Sequence, residues 1–216
     1  MSMTLEAIQV RIENTKTVPP VGPEVQGEAT MSQVLTALHA DHVNLARLLE
    51  ALEHQLAVFD AGEAPDYEIV SGILDYCLGY QDRFHHPKED AILVALERRE
   101  PEAAANLRIL GEEHEKLAAL TRQFADVVQQ ILQDQEVRRD WLDENARNFL
   151  EFYRHHLEWE ESEFFPKALE ALSEDDWNAI DARFAAADPL FGAETEARFE
   201  RLAEELLSLD GESREA

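Results

Sequence analysis

The chain has 216 residues, with 46 acids against 19 bases and a formal charge of −27, a balance that excludes nucleic acid and anionic membranes as main partners because their phosphates repel it. No apolar run approaches the roughly 20 residues of a membrane span, and the N-terminus lacks the basic-then-apolar order of a secretory leader. The single Cys77 excludes an internal disulfide and suits a reducing compartment, so the protein is expected in the cytoplasm.

Residues 1–30 contain TVPPVGPEVQGE, rich in Pro and Gly and without sustained period, and are expected to form a flexible arm. From Ser32, a good N-cap, helical period runs almost throughout, interrupted at 60–66, 99–102, 134–140, 172–176 and 187–193. Four long helices are predicted at about 32–60, 66–98, 101–134 and 139–171, and two shorter ones at about 174–187 and 193–208. Pro65 and Pro101 suit first helical turns, and Ser173 with Asp176 makes a capping-box pattern. Strand signals are absent. Short connections favour an all-α, up-down-up-down antiparallel four-helix bundle over 31–171, with a C-terminal helical extension over 172–216 packed outside it.

The apolar seams carry polar residues at matching heights. Helix one presents Leu35, Leu38, His42, Leu45, Leu49, Leu52 and Leu56; helix two presents Leu74, Leu78, Gln81, His85, Glu89, Ile92 and Leu96. Helix three presents Leu107, Leu110, His114, Leu117, Thr121, Phe124 and Val128, and helix four Phe149, Phe152, Tyr153, His156, Glu160 and Phe164. Residues four apart on a helix differ by about 40° in direction, so His85 with Glu89 and His156 with Glu160 project side by side as chelating pairs. Burying two carboxylates costs several kcal/mol per ion without compensation, and nothing basic occupies the seams nearby, so a metal cation is the natural counter-charge. Four imidazoles and two carboxylates exceed one tetrahedral zinc and suit two five- or six-coordinate ions bridged by both carboxylates.

These motifs resemble the hemerythrin-like, or HHE cation-binding, proteins. ADHVNLARLLEALE around His42, HHPKEDAIL with His85 and Glu89, EEHEKL with His114, and HLEWEESEFFP with His156 and Glu160 follow the family's order over about residues 32–170. The resemblance implies two irons, oxo- or hydroxo-bridged: His42 and His85 on one, His114 and His156 on the other, Glu89 and Glu160 shared. It also shows a departure. Oxygen-carrying hemerythrins supply two histidines one turn apart on helix three, whereas Leu110 and Ala118 flank His114 here, which leaves one iron short of a protein nitrogen.

Of the other polar residues, His39 lies one turn before His42, at the edge of the expected site. His86 and His155 stand about 100° from the proposed ligands and are expected outside the ligand set. Glu161 and Asp90 are substitutes for Glu160 and Glu89 if a helix is distorted, and Pro87 supplies a cause of distortion. Glu113 and Glu158 read as solvated, with the open ligand place as their alternative. His54 reads as surface, and Cys77, Trp141, Trp159 and Trp177 as packing residues. The phenol of Tyr153, one turn from His156, is within reach of a metal-bound ligand.

The function expected is that of a non-haem di-iron protein binding O2, peroxide or NO, in oxygen or redox sensing or in oxidant handling, with turnover left open. An iron buffer and a metal-free interaction module are the alternatives, and the C-terminal helices are the surface available to a protein partner.

Overall fold

Among the described residues the first helix, α1 (Gln33–Asp60), starts where the Ser32 side chain accepts from the backbone N–H of Leu35 at 3.4 Å, and it runs on without a break. The protein is described here from a computed structural model covering residues 32–185, 201–204, 206–209 and 211. The arm expected over 1–30 and part of the helix expected at 193–208 lie outside the described residues. After α1, Gly62 takes a φ of 88°, a left-handed turn that glycine adopts without strain. Asp66 then caps α2 (Tyr67–Tyr76), accepting from the N–H groups of Glu68 and Ile69.

The helix expected at 66–98 is not uniform. It widens into a π-helical stretch, Cys77–His85, before continuing as α3 (His86–Arg99). Pro87 has no N–H to give the carbonyl of Arg83, and the N–H of His86 reaches back five residues to Gln81. The helix expected at 101–134 is divided into α4 (Pro101–Ala105) and α5 (Ile109–Leu132). Between them the Leu107 N–H closes on Ala104 at 2.9 Å, a short turn that breaks the α ladder while burying the leucine. The fourth rod repeats the second: α6 (Arg139–Trp159) passes through a π stretch, Glu160–Phe164, into α7 (Phe165–Ala171), whose first turn holds Pro166. There the N–H of Phe165 returns to Glu160.

α1 packs beside α2 and α6, and α5 packs beside the same two, so the rods form a four-cornered bundle. Two apolar clusters fill it. One contains the layer Leu38, Ile92, Leu110 and Phe164, the other Leu45, Leu117 and Tyr153. From the first layer to the second, where the second rod places the buried Gln81, residue numbers rise in α1 and α5 and fall in the other two rods, the mark of antiparallel neighbours. Each fully buried leucine contributes about 1.5–3 kcal/mol, and these layers offset the cost of the polar band between them.

The C-terminal extension is tied to the bundle. α8 (Glu174–Ala185) starts at the predicted Ser173–Asp176 box, with Ser173 N–H donating to Asp176 at 2.9 Å. Further along α8, the Asp181 carboxylate accepts from Ser32 Oγ at 2.7 Å, Gln33 N at 3.0 Å and Val34 N at 2.9 Å, and so caps α1 from outside. Ala203 and Leu206 join the second apolar cluster, and a Cβ on Gly72 would stand 2.5 Å from Leu206 Cδ2, so the glycine permits that approach. Among the described residues there is no strand, and no helix is long and apolar enough to cross a membrane.

Candidate metal centre

The band between the apolar clusters brings together His42 from α1, His85 and Glu89 from the second rod, His114 from α5, and His156 and Glu160 from the fourth. All are buried, with exposures from 0% for Glu89 and Glu160 to 9% for His114. Their inward atoms are close. His42 Nε2 lies 3.1 Å from His85 Nε2 and 3.4 Å from Glu160 Oε2, and His85 Nε2 lies 3.2 Å from Glu89 Oε1. His114 Nε2 lies 3.3 Å from Glu89 Oε2, and His156 Nε2 3.0 Å from Glu160 Oε1.

These spacings test whether a cation fits. Ligands at about 2.1 Å from a metal and at right angles to each other stand about 3 Å apart, and the five distances match such edges. Both oxygens of Glu89, both of Glu160, and the Nε2 atoms of His114 and His156 have no hydrogen-bond partner among the described residues, although buried polar atoms are ordinarily paired. Donors of this kind, unpaired and aimed inward at those separations, suit divalent or trivalent cations with mixed N/O ligands.

Three of these rings are also held from behind by hydrogen bonds. His42 Nδ1–H donates to Glu161 Oε1 at 2.7 Å, and His85 Nδ1–H to Asp41 Oδ2 at 3.1 Å. His156 Nδ1–H donates to Glu113 Oε2 at 3.0 Å, while His114 Nδ1 faces Asp90 Oδ1 at 3.6 Å. A carboxylate on Nδ1 fixes the tautomer that leaves the Nε2 lone pair for a metal and raises the basicity of the ring. Tyr80 donates to Asp41 at 2.8 Å, and Lys88 Nζ stands 3.8 Å from the same carboxylate.

Residues 33–168 match the family model described as the hemerythrin HHE cation binding domain. The chain belongs to that family. No curated protein and no solved structure matches it. The match runs from the start of α1 into α7, the part of this HHE chain that carries the polar band, and stops before α8.

The HHE site holds two groups of candidate ligands. One atom each from His42, His85, Glu89 and Glu160 lies within 4.8 Å of the others, and so does one each from His86, Glu89, His114 and His156. His86 was not expected there. An ideal α-helix turns it about 100° from His85, but the π stretch turns less per residue, so both neighbours face the interior. His86 is 7% exposed and stacks on His114 with ring centroids 3.9 Å apart. It brings a third imidazole to the side where helix three carries one.

Other expectations change as well. Glu113 is not a solvated residue but the partner of His156, and Glu161 does not replace Glu160 but joins His42 to His39, whose Nδ1 lies 2.9 Å from it. Tyr153, buried beside the site, has its hydroxyl turned to the Cys77 thiol, and burial together with Cys77 raises its pKa well above the ordinary value. Asp41, Tyr80 and Lys88 escaped the sequence reading because they lie off the seams; Asp41 directly precedes His42, which was the available signal. His155 is exposed, Trp141 is 43% exposed, and Trp159 and Trp177 pack against the first cluster.

The electrostatics attract positive charge. Burial pushes His114 down, but Asp90, Glu160 and Glu89 outweigh it and raise its pKa to about 11; in the same contest Glu160 and Glu113 carry His156 to about 9. His42 and His85 also rise against their burial, the first through Glu161 and Glu89 and the second through Glu89 and Asp41. Burial favours the neutral form of Glu89, yet His85, His114 and His42 hold it well below the carboxylate range. Glu160 is lowered despite burial and the charge of Glu89, and His39 with His42 brings Glu161, against its burial, to about 2. Ionised carboxylates are thus locked at the centre, where protons or metal cations balance them.

Proposed function

We propose that this chain is a non-haem di-iron protein that binds a small oxidant, O2, peroxide or NO. In this reading His42 and His85 serve one iron, and His86, His114 and His156 serve the other. Glu89 and Glu160 are shared between them. The observation that carries it is the set of inward, unpaired oxygens and Nε2 atoms spaced as coordination edges. A metal-free interaction module fits this poorly, because its buried carboxylates would lack the hydrogen bonds that buried charge requires.

Bound iron would supply redox and Lewis-acid chemistry. The protein's own part is to orient and exclude. Asp41, Glu113 and Glu161 hold the imidazoles in register from their Nδ1 sides, and the layers above and below keep bulk water from the carboxylates. His86, drawn inward by the π stretch, gives the second ion the nitrogen that Leu110 and Ala118 do not offer.

Protein expressed with ample iron is expected to carry about two irons per chain, the number a bundle with paired carboxylates and histidines holds. It should show an oxo-to-iron charge-transfer band that bleaches on anaerobic reduction. Return of the band with O2 identifies reversible binding or sensing. Turnover of peroxide or NO that disappears in His114→Ala or Glu160→Ala identifies an oxidant-handling enzyme, and iron without either identifies a buffer. No bound transition metal would refute the proposal.

A further inference from the structure

On one side of the polar band the next layer is wholly apolar: Leu38, Ile92, Leu110 and Phe164, each 0% exposed. On the other side the layer is Leu45, Gln81, Leu117 and Tyr153. Gln81 stands four residues before His85 on the same inward face, within the π stretch, and is 1% exposed. Neither its Nε2 nor its Oε1 has a hydrogen-bond partner among the described residues. The other polar groups at this end are engaged: Thr121 Oγ1 donates to the Leu117 carbonyl at 2.7 Å, and Tyr153 turns to Cys77.

An unpaired buried amide is a cost to folding that a leucine or methionine at the same place would avoid. The unpaired carboxylates and imidazoles of the band are accounted for by a metal, but an amide one turn away is not needed as a ligand in either four-residue group. Its NH2 group can donate and its carbonyl oxygen accept toward whatever shares the interior with it. Leu45 and Leu117 offer nothing polar in return.

We propose that Gln81 is the recognition residue for the exogenous ligand of this centre, its amide N–H donating to a small anion or oxygen-bearing molecule held at the irons. The inference rests on the di-iron reading above. It makes the side facing Leu45 and Tyr153 the ligand side, and the side facing Leu38 and Phe164 the closed one. Ligands that accept a hydrogen bond are preferred over those that do not, because the amide is already desolvated when they arrive.

The test uses the full chain, iron-loaded and metal-free, with Gln81→Met as a near-isosteric variant and azide as the probe. Azide affinity, followed by its charge-transfer absorption, should fall roughly ten- to hundred-fold, as expected for losing a hydrogen bond to a charged ligand. Iron content should stay at the wild-type value, and the metal-free variant should melt at an equal or higher temperature than the metal-free wild type. Unchanged azide affinity in an iron-replete variant would overturn the proposal, and so would a metal-free variant that melts lower, since the amide would then have a structural partner. If the wild type takes up no iron, the di-iron reading fails, an outcome read from metal content alone and separate from these two.

Discussion

His86→Phe removes one nitrogen from the centre while keeping an aromatic ring against His114. The stack, with centroids 3.9 Å apart and planes 14° from parallel, is of a kind phenylalanine can reproduce, so the packing term is largely conserved. What is lost is one of the three imidazoles that the proposed di-iron site would offer its second ion. Removing a carboxylate that merely supports a ligand costs about 10–100-fold in metal affinity, so losing a ligand itself should cost about 100-fold or more. That is about 2.8 kcal/mol of binding free energy. For a chain of this size it removes about 5–10 °C of the stabilisation that iron confers. The assay is iron titration into metal-free protein with bound metal counted after gel filtration, alongside melting curves with and without iron. The variant should hold one iron tightly and the second weakly, whereas His155→Phe, at an exposed position on the fourth rod, should match the wild type. Two tightly held irons and an unchanged iron-dependent melting shift in His86→Phe would refute the argument that the π stretch recruits this histidine.

Three further outcomes follow from the geometry. Glu161→Gln unties His42 and His39 together and should weaken iron binding by about 10–100-fold, measurable by competition with a chelator. The metal-free protein should lose stability in alkali. His156 and His114 are raised to about 9 and about 11, so their contribution is complete below the ordinary imidazole value and disappears as pH rises through those values; the iron-loaded protein, whose imidazoles are already neutral, should lack that alkaline loss in denaturant midpoint. Leu38→Ala, at a fully buried position in the closed layer, should destabilise the fold by about 2–5 kcal/mol in denaturant unfolding, and a value under 1 kcal/mol would show that the layer is not close-packed.

Read from the sequence alone, a 3.6-residue period of apolar residues determined four amphipathic rods, and short connections made them an antiparallel bundle. The same periodicity determined that His42, His85, Glu89, His114, His156 and Glu160 face one interior height, because side-chain direction along a regular helix depends on spacing alone. Where the helix stops being regular, spacing no longer predicts direction. Pro87 and Pro166 leave carbonyls that the chain accommodates by closing five-residue turns, His86 to Gln81 and Phe165 to Glu160, and only the folded hydrogen-bond register decides which neighbouring residues then turn inward. His86 and Gln81 acquire their places in this way. The carboxylates behind the imidazoles, Asp41, Glu113 and Glu161, were equally a matter of tertiary structure: Glu113 and Glu161 reach histidines on other rods, and Asp41 reaches His85 across the bundle rather than its own neighbour, His42. Linear spacing carries no record of how helices rotate against one another, and that rotation is fixed by the packing of the apolar layers on either side of the site.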